Sequence, residues 1–143
     1  MTSYASGATR GAASTSSSMV TALRTGLVWP IISLLITGMW HFTIEAIWPE
    51  LRSTFVPAVL GPILLSYGAW AGYRTALAGG GYVGAIVAGA ILGLLPLMLD
   101  IVGFGVILGR GTDVGVLAGV FGFSMVLFGG LLGGGFANVR SQG

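Results

Sequence analysis

One histidine and two carboxylates set inside apolar runs are the groups in this chain with chemistry to offer. His41 is the only histidine, and Ser33, Thr37, His41 and Glu45 recur at four-residue spacing in SLLITGMWHFTIE. On a helix that spacing lines them along one face, while the positions between them are mostly Ile, Leu, Met, Phe and Trp. A polar group without a partner in an apolar medium costs several kcal/mol. The ribbon must therefore face protein or a wet cavity. Asp100 lies in a second apolar run, PLMLDIVGFG. Pro96 ahead of it removes a backbone donor and frees the carbonyl of Leu92, so the helix bends or admits water there. The spacing predicts a polar intramembrane cluster of Ser33, Thr37, His41, Glu45 and Asp100, with Arg52 and Arg110 as nearby cations.

Three roles are open to His41. It can hydrogen-bond between helices. It can serve as the single ligand of a haem or chlorophyll-type pigment, a six-coordinate bis-histidine haem needing a second chain. It can carry a step in a proton or cation relay, as intramembrane ionisable residues do. His41 and Glu45 alone supply too few ligands for a divalent metal, so no metal site is expected, and no cofactor beyond that pigment role. The chain has no cysteine and no lysine, which removes thiolate, iron–sulfur and Schiff-base chemistry. No catalytic residue is assigned, and the expectation is a protein that is not an enzyme. GFSM (122–125) lacks the second glycine of an intramembrane serine-protease turn. LAGGGYVGAIVAG has neither the preceding strand nor the lysine of a phosphate-cradling loop.

The elements that must position these groups follow from composition. Of 143 residues, 55% are hydrophobic and 7% charged, with a mean hydropathy of +0.95. Soluble domains carry roughly a quarter charged residues, so the solvent here is a bilayer, which needs about 20 apolar residues per helical span. Four spans are predicted at about 27–48, 55–78, 82–108 and 114–137. The first extends inward from a cap at Ser17 or Ser18, is bracketed by Trp29 and Trp48, and stops at Pro49. The second has Pro57 in its first turn and a kink at Pro62. The fourth starts from a Thr112 or Asp113 cap. Residues 1–18, rich in Ser, Thr, Ala and Gly, read as a flexible tail rather than a cleavable signal.

Short connections make successive helices antiparallel neighbours. The predicted architecture is an all-α integral membrane four-helix bundle. With both termini cytoplasmic, Arg10, Arg24, Arg74 and Arg140 lie inside and Arg52 and Arg110 outside, a modest positive-inside bias. Twenty-six glycines would weaken water-exposed helices, but in lipid small residues let backbones approach. The packing positions singled out are Gly68 and Gly72 on the second span, Gly89 and Gly93 on the third, and Gly115, Gly119, Gly122, Gly129 and Gly133 on the fourth. On the third span Ala85, Gly89, Gly93, Pro96, Asp100 and Gly103 share an arc of about 80°.

These features lead to an expected multi-pass protein of a prokaryotic inner membrane. It would be an accessory or structural subunit meeting lipids and other subunits, or a second copy of itself, through glycine-rich faces. The alternative is a small oligomeric transporter or channel using Glu45, His41 and Asp100. The thinly spread net charge of +2 forms no nucleic-acid surface.

Overall fold

The computed structural model describes residues 6–51 and 56–143, with side chains described over 18–51 and 58–143. The side chains of Arg10, Arg52 and Pro57, all invoked above, lie outside the described residues. The α-helices among the described residues are α1 (Ser6–Ile47), α2 (Gly61–Thr75), α3 (Gly81–Asp100) and α4 (Thr112–Ser141), and no strand occurs among them. Three helical stretches are long and apolar enough to cross a membrane: Ser18–Ile47, Ala58–Ile107 and Thr112–Ser141.

The middle stretch is not straight. Its backbone leaves helical geometry at Gly79, where φ is +98°. A side chain rarely adopts that conformation, so glycine is what lets α2 run into α3 without a polar linker. The contact register shows the reversal. Gly68 and Gly72 of α2 meet Val126 and Gly130 of α4, so those helices run parallel. Gly93 meets Phe123 and Gly119 meets Leu97, so α3 runs against α4. Contacts of α1 run antiparallel to α2 (Gly26 with Thr75, Thr37 with Tyr67) and parallel to α3 (Gly38 with Leu99, Phe42 with Gly103).

Prolines shape the helices in two ways. Pro62 does not kink a helix interior as expected. It sits in the first turn of α2, where a missing N–H leaves nothing unsatisfied, after a π-helical turn over Val56–Leu60. Pro30 and Pro96 do lie inside helices, both buried. Beyond Asp100 the backbone widens into a π-helical segment, Ile101–Ile107. The start of α4 also differs from expectation: Gly111 occupies the capping position, and no side-chain cap forms from Thr112 or Asp113. Asp113 instead stands in the first turn, where its charge opposes the helix dipole. Helical backbone in α1 passes through Ser17 and Ser18 to Ser6.

The densest packing joins α4 to α2 and α3, because backbone meets backbone there. All nine singled-out glycines are buried. A methyl group on Gly129 would lie 2.7 Å from the Ala69 nitrogen and 2.9 Å from Gly68 Cα. One on Gly115 would lie 2.8 Å from the Asp100 carbonyl, and one on Gly119 2.9 Å from Leu97 Cα. Gly130 and Gly134, not singled out in the sequence, belong to the same wedge, meeting Gly89 and Ala85 of α3. The glycine faces are thus occupied within the chain, and a partner molecule would have to meet other surfaces. Leu27, Leu34, Leu60, Leu64, Ala71, Ala88, Leu92 and Val126 fill the remaining core.

On the side of α1, Gly26 packs against Thr75 of α2. Thr75 is fully buried, and its hydroxyl has no hydrogen-bond partner among the described residues. A buried hydroxyl of that kind costs about 1–3 kcal/mol. Thr75→Val is therefore expected to raise the resistance to unfolding in detergent by about 1 kcal/mol. A fall of similar size would show that the hydroxyl is satisfied.

Candidate functional site

The polar groups of the spans gather where α1 ends. Glu45 is the anchor: it is 2% exposed, and Arg110 Nη1 donates to its Oε2 at 2.8 Å. The second guanidinium nitrogen, Nη2, donates to the Glu45 backbone carbonyl at 3.3 Å. The sequence explains that second bond. In an α-helix the carbonyl of residue 45 would accept from the N–H of residue 49, and Pro49 has none. Arg110 supplies the missing donor and places a cation at the negative end of the α1 dipole. It reaches there from the loop before α4, between Gly109 (φ +60°) and Gly111 (φ +98°). Two flanking residues free to take positive φ let this short loop aim a long side chain back at α1.

One turn deeper, His41 is 4% exposed and Asp100 9% exposed. The two, with Thr37 and Pro96, line a small cavity of about 20 Å³, large enough for one water molecule. Rings close the histidine in: Phe42 lies 5.7 Å away and Phe104 5.6 Å, the latter edge-on. Thr37 donates its hydroxyl to the Ser33 carbonyl and shares a 2.9 Å hydrogen bond with Tyr67 of α2.

His41 and Thr37 also line a second, larger space between α1 and α2. This groove has a volume of about 280 Å³ and is bounded by Ile36, Thr37, Trp40, His41, Ile44, Leu60 and Ile63. Ile36 and Trp40 at its edge are 56% and 66% exposed, so it opens sideways from the helices.

The structure thus brings Thr37, His41 and Asp100 around one cavity and pairs Glu45 with Arg110 beside it. Ser33 enters through its backbone carbonyl. Tyr67, Phe42 and Phe104 complete the surroundings and were not singled out in the sequence. A phenol on α2 with an unpolar neighbourhood was the one available signal for Tyr67. Among the described residues no group of three or more His, Asp or Glu side chains is placed to hold a metal ion. At the opposite end of the helices Arg24, Arg74 and Arg140 are exposed, and Arg140 donates to the Tyr73 hydroxyl at 2.6 Å. All four acidic residues of the sequence (Glu45, Glu50, Asp100 and Asp113) belong to the His41 half. Compared with known protein families, curated proteins and solved structures, the chain matches none.

Proposed function

We propose that the chain is a four-span protein of a prokaryotic inner membrane with both termini in the cytoplasm. Its role in this reading is that of a non-enzymatic accessory subunit held among lipids and larger membrane partners. The reversal at Gly79 supports counting α2 and α3 as separate spans. Orientation rests on Arg10, Arg24, Arg74 and Arg140 at one end against Arg52 and Arg110 at the other.

The observation that carries the accessory role is the use made of the buried charge. Glu45 is spent on Arg110 and on capping α1, an arrangement that locks a helix in place. Because the glycine faces are filled internally, the partner surface is the outward side of α1 away from the groove it forms with α2, where Val28, Ile32, Leu35 and Met39 are exposed. A self-oligomer would use the same side.

The second reading, a small oligomeric transporter, draws on one specific observation: His41 borders both the cavity it shares with Asp100 and the sideways-opening groove. One pair of measurements separates the two. In mild detergent an accessory subunit co-purifies with a larger complex, and Asp100→Asn leaves proteoliposome flux at background in both forms. Coupled flux that Asp100→Asn abolishes establishes the transporter instead. A visible spectrum of the gently purified complex tests His41 as a pigment or haem ligand.

A further inference from the structure

The groove between α1 and α2 has a place, a size and a chemistry that together select an occupant. Its lining residues lie on apolar stretches of α1, at Leu60 of the turn before α2 and at Ile63 of α2, and its mouth is flanked by exposed Ile36 and Trp40. A ligand therefore arrives from the hydrocarbon rather than from water. Among the described residues no charged side chain lines it, so at this wall phosphate headgroups and ions would lose their hydration without compensation. The volume of about 280 Å³ lies at the small end for ligand pockets. It suits a single ring whose tail remains among acyl chains. The wall offers the flat indole of Trp40 for stacking. It also offers the imidazole of His41, which can donate to a carbonyl or accept from a hydroxyl.

We propose that this groove is a lateral binding site for a neutral prenylated quinone, its ring against Trp40 and one ring oxygen hydrogen-bonded to His41. The proposal is independent of the accessory role, since either a subunit or a transporter can hold such a molecule.

The test uses the full chain in nanodiscs with a photoreactive azidoquinone bearing a short isoprenoid tail. Cross-links are mapped by peptide mass. Labelling is expected on residues 36–44 and 60–63, and decylubiquinone should suppress it while decyl alcohol does not. Ile63→Trp, which fills the groove without touching the polar groups, should reduce labelling several-fold. Ile36→Trp at the exposed mouth should do the same and leaves the core intact. His41→Leu should weaken competition by decylubiquinone about tenfold, the loss of one buried hydrogen bond to a ligand. Labelling spread evenly over lipid-facing positions such as Phe128 and Leu132 overturns the proposal. Labelling untouched by both tryptophan variants does so too. Equal competition by decyl alcohol overturns the quinone assignment by showing that the ring is not what is recognised.

Discussion

Gly133→Ala will destabilise the helical core, while Gly135→Ala, two positions along the same helix, will stabilise it slightly. A methyl group on Gly133 would overlap the Ala69 carbonyl and lie 2.8 Å from the Tyr73 nitrogen. Both are backbone atoms of α2 and cannot rotate away. Forcing α2 and α4 apart costs about 1–3 kcal/mol as overpacking, and more when neighbouring close contacts open with it. A methyl group on Gly135 meets nothing within 4 Å, so only the helix preference for alanine remains, worth up to about 1 kcal/mol. Unfolding in detergent, followed by circular dichroism, should separate the two variants by about 2–4 kcal/mol. Equal behaviour would mean that α2 and α4 do not touch at this register.

Removing Arg110 should be the most damaging single change among the described polar residues. Arg110→Ala leaves Glu45 buried without its cation and the end of α1 without its donor. Breaking a buried ion pair from one side costs about 3–5 kcal/mol. The lower end applies here, because the Arg110 side chain is 27% exposed and partly screened. Glu45→Gln should cost less, since an amide oxygen still accepts from Arg110 and the guanidinium can turn toward water. Adding Glu45→Gln to Arg110→Ala should recover a large part of the loss, because the stranded charge is gone. A double variant as unstable as the sum of the singles would show that the two side chains do not interact.

Much of the architecture was legible from composition. Ten charges and long apolar runs point to helices of membrane length, and three helical stretches among the described residues are long and apolar enough to cross a membrane. The details that sequence missed have local physical causes. Pro62 reads as a kink when Gly61 is counted as helix interior, but the wide turn over Val56–Leu60 moves it to the start of α2. Thr112 and Asp113 are good capping residues by type, yet a positive φ at Gly111 begins α4 without them.

The site divides in the same way. Four-residue spacing was enough to put Thr37, His41 and Glu45 on one face of α1. What spacing could not reach was partnership across helices. Arg110 was visible only as a cation near the right end. Its bond to the Glu45 carbonyl depends on the proline four residues later and on two glycines in the loop. Tyr67 lies on a helix with no polar ribbon of its own, and only the antiparallel register with α1 brings its hydroxyl to Thr37.

An interface made of glycine on backbone has no rotamers with which to absorb a shift. Where α2, α3 and α4 touch through main-chain atoms, a small slide creates overlaps all along the line, so these helices must travel together or not at all. On α1, by contrast, main-chain contact with α2 is confined to the Gly26 end, and toward His41 and Glu45 the grip relies on a carboxylate, hydroxyls and rings, which can swivel to new positions. If this molecule changes shape during its working cycle, the Arg110 bonds to Glu45 must open first, and the displacement should appear as the Glu45 end of α1 swinging about Gly26 against a stationary trio. Spin-label distances from α1 would then vary, while those among the other three stay fixed.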